Sequence, residues 1–268
     1  MEEKKAISLS SNIILMIIRL ICVICMIYGL FSCKQRMIEA PEIDFGYEYF
    51  PLSIGQSKIF RLDSIIFDPI VGGISVDTFS WLLKEEIVDT LRDGTGLLSY
   101  VVERSQKGVE DDDWVVDRVW TMSRTKTQAI RTEDNLRFIK MNFPLSENAD
   151  WDANIFVDKS LEVSVAGETL EIFKGWESKV LTIEEPFVLN EQVFDEVLAI
   201  QLADNENLIE YRYGVERYAK DIGLIYKELW VVDTQCEFCC NSDFIFCESL
   251  DWITKGEAGF VLRQQLIN

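Results

Sequence analysis

From Lys58 to Leu262 one local pattern recurs: short runs rich in Val, Ile, Leu and aromatic residues, alternating with polar residues and closed by a turn signal. Alternation at period two marks strands with one covered face. Lys58 to Phe67 is the first such run, broken by Asp68-Pro69 and Gly72-Gly73. The stretch Phe79 to Ile87 has a spacing that a helix would accept too, but strands flank it, so Ile74 to Asp89 reads as a strand. Asp93-Gly94-Thr95-Gly96 is a hairpin signal leading into Leu97 to Arg104. Further strands are expected at Trp114 to Met122, Thr127 to Arg131 and Leu136 to Phe143, with Asn135 as a turn residue. Pro144 to Asp152 interrupts the series and has room for one short helical turn. Strands then resume at Leu161 to Val165, Gly167 to Lys174, Trp176 to Glu184, Val193 to Leu202 and Leu208 to Tyr213. No shift of composition marks an internal linker. The expected fold is mainly β: one domain over residues 49–268, a single antiparallel meander curled into a barrel-like or open half-barrel sheet, with few short helices.

Histidine is absent from the 268 residues, which removes the imidazole needed for Ser-His-Asp or Cys-His nucleophile activation and for most zinc and iron sites. Carboxylate-pair chemistry stays open, but no pair stands out, so no catalytic residue, resident metal or cofactor is assigned and the chain is not expected to be an enzyme. Formal charge is −20. Such an acidic body repels phosphate backbones, so no nucleic-acid partner is expected. The densest acidic run, Glu110-Asp111-Asp112-Asp113, lacks the spaced aspartates of a calcium loop and reads as a solvated turn between strands.

Ahead of the body, Asn12 to Phe31 is apolar apart from Arg19 and small polar interruptions, and it closes on Leu30-Phe31-Ser32-Cys33. A hydrophobic core ending in a small residue before the cut describes a secretory signal. With cysteine after the cut, the pattern resembles the bacterial lipobox, although Phe31 is bulkier than usual at its position. The resemblance implies diacylglyceryl on the Cys33 thiol, cleavage of residues 1–32 and acylation of the new amino terminus, with palmitate as the expected type of chain. Several acyl chains, at about 0.8 kcal/mol per buried CH₂, hold a protein on a membrane where one does not. The competing reading is an uncleaved membrane span, against which Arg19 counts by roughly 2.5–3.5 kcal/mol. Initiation at Met16 would give a more ordinary signal than Met1 does. Residues 1–32 carry Lys4, Lys5 and Arg19 against Glu2 and Glu3, so their removal leaves 236 residues at −21. Residues 33–48 read as a tether. Lys34 is not the aspartate that retains many lipoproteins at the inner membrane, so this resemblance points to the cell outer membrane.

Tyr218-Ala219-Lys220-Asp221-Ile222-Gly223-Leu224-Ile225-Tyr226-Lys227-Glu228 resembles a segment of uncharacterised lipoproteins of Bacteroidetes-type bacteria. Phe50-Pro51-Leu52-Ser53-Ile54-Gly55 and the late strand Gly259-Phe260-Val261-Leu262 match the same group. The resemblance covers most of residues 49–268 and brings no activity with it. Physically, Ala219 and Gly223 are tight-packing positions, and Ile222, Leu224, Ile225 and Tyr226 are core.

Cys236, Cys239, Cys240 and Cys247 form the one compact cluster of reactive groups. Export implies an oxidising compartment and hence a disulfide staple. Adjacent Cys239 and Cys240 are poorly placed to bond each other, so each is expected to pair outward, to Cys236 or Cys247. Free thiols, a metal site and a redox pair are the alternatives. The metal reading is weakened because only Cys236 and Cys239 have knuckle spacing.

These features describe a lipid-anchored cell-envelope protein acting by binding or assembly, with the membrane and an envelope protein as partners. One alternative is a carrier holding an apolar ligand in its curled sheet, and the other is an envelope hydrolase using acidic residues. Intact-mass spectrometry of the protein from its native membrane is expected to show acylation at Cys33, with four thiols appearing only after reduction. A full-length unacylated mass would overturn the anchor.

Overall fold

The computed structural model describes residues 16, 17, 19–21, 43–92 and 94–267. The proposed cleavage site, Cys33 and most of the tether lie outside them. The chain divides into two compact units, Met1–Ile43 and Asp44–Asn268. In the first, the described residues are helical apart from Ile43, and Met16, Ile17, Leu20 and Ile21 are exposed. Among the described residues no helix is long and apolar enough to cross a membrane.

The second unit starts earlier than the expected boundary at residue 49. Phe45 stacks on Tyr47 at 5.1 Å, Tyr47 meets the Phe143 ring edge-on at 4.8 Å, and a 3₁₀ turn at Tyr47–Tyr49 buries Tyr49. Aromatic burial, invisible in a stretch with weak periodicity, converts the end of the tether into core.

Twelve strands then form one antiparallel sheet. Six come first: β1 (Ser57–Ile70), β2 (Gly73–Arg92), β3 (Leu98–Gly108), β4 (Val115–Arg124), β5 (Gln128–Glu133) and β6 (Leu136–Asn142). A two-residue strand, β7 (Asp150–Trp151), follows. A separate hairpin pairs β8 (Glu162–Val165) with β9 (Glu168–Glu171). The sheet resumes with β10 (Ser178–Leu189), β11 (Gln192–Glu206), β12 (Glu210–Ala219) and β13 (Gly223–Asp233). Two short helices, α1 (Phe244–Glu248) and α2 (Trp252–Lys255), precede β14 (Ala258–Leu266). Spatial order runs β6-β5-β4-β3-β2-β1-β14-β13-β12-β11-β10-β7. The meander is therefore two runs of hairpins joined at the centre by β14, the last strand, against β1, the first. The expected antiparallel, curled meander is what forms. The strand expected at Ile74 to Asp89 forms, with Phe79 to Ile87 paired to β1 and β3. Pro144 to Asp152 forms no helix. The helices lie instead in the cysteine-rich connection, where Asp243 and Asp251 accept backbone N–H groups at their N-termini.

Short turns set the hairpins. Asp134-Asn135 and Asn190-Glu191 each place two successive residues at positive φ, as two-residue turns between twisted strands require. The sheet curls until its ends meet and is nearly closed into a barrel. Ala129 and Met141, near one end of the order, share a buried cluster with Val180, Leu198 and Ile200 from the other. The seam is sealed without a regular ladder: Ile139 donates to the Ala153 carbonyl at 2.9 Å and accepts from Trp151 Nε1 at 2.8 Å.

One glycine in the central strand is required by close approach. Gly259 has φ +113°, and a Cβ built there would lie 2.0 Å from the Val231 carbonyl oxygen. Gly259→Ala is expected to cost about 3 kcal/mol, through strain and displacement of β13, seen as a lower urea midpoint at unchanged slope.

Candidate functional site: the charged interior of the barrel

Register brings ionisable residues into rows across the inner face. Glu216 on β12 lies opposite Lys227 on β13, which faces Gln264 on β14; Gln264 faces Leu62 on β1, and Leu62 faces Trp81 on β2. A neighbouring row runs Lys58, Glu85, Arg104, Arg118 across β1 to β4. Two residues further along each strand the row is apolar, with Leu229 opposite Leu262. The interior is thus layered, charged in one tier and apolar in the next.

The charged tier is built on two carboxylates. Glu85 Oε1 accepts Arg131 Nη2 at 2.5 Å and lies 3.2 Å from Arg104 Nε. Both guanidiniums lie against the Trp120 ring, with Arg104 at 3.7 Å and Arg131 at 4.7 Å. Glu216, 1% exposed, accepts Lys140 Nζ at 2.6 Å and Tyr218 Oη at 2.6 Å, with Lys227 Nζ at 3.5 Å. Lys140 belongs to β6 and Glu216 to β12, so this pair reaches across the barrel interior from one run of hairpins to the other. Glu133 completes the set, 3.1 Å from Arg131 Nε.

Burial by itself pushes the Glu216 carboxyl up, but Lys140 and Lys227, with hydrogen bonds from Lys140 and Tyr218, bring it down to about 2. Glu85 and Glu133 follow the same logic. Burial raises each, and the charges around them, Arg131 and Arg104 for Glu85 and Lys227 and Arg131 for Glu133, hold both below the usual range. Burial lowers Lys58 to about 8, against the pull of Glu85. Tyr218 is pushed well up by burial and by Glu216. Every interior carboxyl is therefore held ionised, the wrong state for a general acid.

Above this tier opens a cavity of about 450 Å³. Its polar wall includes Arg104, Arg131, Lys227 and Gln264 together with the carboxylates of Glu133 and Glu216, and its apolar wall includes Leu62, Trp81, Leu229, Phe260 and Leu262. Arg118 sits at the rim, paired with Asp117 and Asp134. A second cavity of about 150 Å³ shares Glu133, Lys227, Leu229 and Phe260 with the first and is lined by Phe138, Phe173 and Trp176. The size suits a ligand-holding sheet, but the larger wall is too charged for a purely apolar ligand. None of these interior residues was singled out for a site from sequence. The signal was present in the alternation: Glu85 is in phase with Leu83 and Ile87, and Lys227 with Leu229 and Val231. A charged residue in step with apolar ones faces the core.

Of the residues singled out, Cys33 lies outside the described residues. The cysteine cluster forms disulfides Cys236–Cys247 and Cys239–Cys240. Outward pairing of the two adjacent cysteines is corrected. Positive φ at Cys236, Asn241 and Ser242 turns the chain back so that α1 brings Cys247 to Cys236, with Cα atoms 5.8 Å apart and both side chains fully buried. With those partners taken, Cys239 and Cys240 have only each other. The sulfurs of Cys239, Cys240 and Cys247 lie within 4.8 Å of one another, but as disulfides they offer no thiolate to a metal. At Glu110-Asp113, Asp111 caps its own turn by accepting Gly108 N–H at 3.0 Å.

The stability that Glu216 supplies is fully present above its ordinary value of 4.5 and is lost as pH falls toward about 2. Glu216→Gln is expected to lack that acid limb and to lose about 3 kcal/mol at neutral pH, since Lys140 and Lys227 are left without their counter-charge. Urea unfolding of both proteins between pH 2 and 7 checks this, and parallel curves would refute it.

No known family and no curated protein matches the chain. Among solved structures it is similar to a protein assigned as exported, with a YmcC-like fold, from Bacteroides fragilis NCTC 9343: TM-score 0.31, 10% identity, covering 82% of this chain and 98% of that one. It is also similar to a protein assigned as a lipoprotein, from Parabacteroides distasonis ATCC 8503: TM-score 0.28, 10% identity, covering 81% and 96%. At such scores the superpositions carry no argument about this chain.

Proposed function

We propose that this is a lipid-anchored cell-envelope protein, held on the outer membrane through Cys33, that binds a small molecule inside its barrel and catalyses no reaction. The lipobox resemblance supports the address. The observation that carries the binding role is the cavity of about 450 Å³ between a charged and an apolar tier. A barrel needed only as a scaffold would fill that space with its own side chains. The clamped, ionised carboxylates support a non-catalytic role, because a glycosidase-type acid requires a raised pKa. The apolar-carrier and hydrolase readings both fit these walls less well.

Native mass spectrometry of the protein released from its own membrane is expected to show a bound small molecule beyond the acyl chains. Leu262→Trp, which fills the apolar tier, is expected to remove that adduct while leaving the β-sheet circular-dichroism signal intact. Wild-type protein that carries no adduct would overturn the binding role.

A further inference from the structure

The interior is mismatched in sign with the rest of the molecule. Overall the chain is at −20, yet inside the barrel Lys58, Arg104, Arg131, Lys140 and Lys227 stand against Glu85, Glu133 and Glu216. Unbalanced charge in a low-dielectric interior is costly, and a bound counter-ion relieves that cost. At the exposed rim Arg118 is paired with both Asp117 and Asp134, which offsets one of those charges and leaves a single cation in excess, six cations against five acids.

Hydrogen-bonding capacity shows the same bias. Gln264 is 5% exposed and lines the larger cavity, and its Nε2 has no partner. Trp176 lines the smaller cavity, and its buried Nε1 has no partner. Lys227 Nζ reaches only Glu216, at 3.5 Å. These groups are all donors. A buried donor left without an acceptor is destabilising, so the unpaired groups are complementary to acceptor oxygens.

Shape supplies the other half of the ligand. Lys227 and Gln264 are cross-strand neighbours, and two residues along the same strands stand Leu229 and Leu262. Phe260 extends that apolar face into both cavities. A molecule with its charged end at Lys227, Gln264 and Arg104 would lay its body against Leu229, Leu262 and Phe260.

Resting on the binding role proposed above, we infer that the ligand is a small amphipathic anion. A carboxylate or comparable oxyanion is held by Lys227, Gln264 and Arg104, and an apolar body is held by the adjoining tier. Three probes of equal chain length separate charge from apolar burial: octanoate, 1-octanol and octylammonium. Each is titrated calorimetrically into the full-length anchored protein in nanodiscs, with empty nanodiscs subtracted. Octanoate is expected to bind at least about tenfold tighter than octanol, with octylammonium weakest, since a charge-assisted hydrogen bond contributes about 1.5–3 kcal/mol. Lys227→Met is expected to lower octanoate affinity about tenfold and leave octanol unchanged. Gln264→Leu removes an unpaired buried donor without leaving a cavity, so its fold is kept while octanoate binding weakens several-fold. Octanol or octylammonium binding as tightly as octanoate would overturn the anionic assignment and leave the barrel a binding site. Absence of heat from all three would overturn both. Octanoate affinity unchanged in both variants would overturn the placement of the anion at this row.

Discussion

The Lys140–Glu216 pair is the contact on which the closed form of the molecule depends. One partner is on β6, at one end of the sheet order, and the other on β12, in the second run of hairpins, so the pair spans the barrel interior. A barrel closed by a continuous ladder removes its edges; this sheet is held closed by one backbone bond and one indole bond at Ile139, a shared apolar cluster and this buried ion pair across the interior. The pair is tolerable in the interior because Glu216 is saturated: Lys140 and Lys227 neutralise it and Tyr218 fills its second oxygen. Buried ion pairs are seldom a net gain over apolar packing, but removing one partner is strongly destabilising. Here the pair ties barrel closure to the charge state of the interior.

That coupling explains why the charged tier and the cavity sit together. The cations that hold the carboxylates are spread over β3, β5, β6 and β13, so no single hairpin contains the network. Only the curled sheet converges them. Trp120 stacks on the two guanidiniums that share Glu85, and all three side chains border the open space. What remains directed at the cavity is a set of donors above ionised, immobile carboxylates. Such a surface is suited to holding an oxyanion and poorly suited to proton transfer, where a group must change state near the working pH.

Much of the fold was legible because hairpins are local. Asn135, Asp93-Gly94 and the Val165 to Glu168 turn announce reversals from neighbouring residues alone, and alternation identifies the strands between them. The second unit begins ahead of residue 49 because Tyr47 packs against Phe143, almost a hundred positions away, a contact no local window contains. The cysteine pairing was misread for a related reason. Spacing alone disfavoured an adjacent pair, whereas the left-handed turn at Cys236 and the docking of α1 decide which sulfurs meet. The interior site was hidden most deeply. In Leu83-Lys84-Glu85-Glu86-Ile87 the two glutamates are chemically identical, yet Glu85 is buried and Glu86 only half-buried. Only the phase relative to Leu83 and Ile87 distinguishes them.

The sequence by itself determined the strands, their antiparallel order within each hairpin run, the acidic surface and the lipobox-like segment ending at Cys33. Each of these depends on residues within a few positions of one another, where periodicity, turn chemistry and charge act directly. Tertiary structure alone decided that β14 joins β1 at the centre of the sheet, that the ends meet at Ile139 and Trp151, and that Lys140 and Glu216 pair across the interior of an acidic protein. Those outcomes depend on how far the sheet twists and where its two ends come into register. Twist accumulates over twelve strands, so the sign and shape of the interior belong to the whole sheet and to no segment of it.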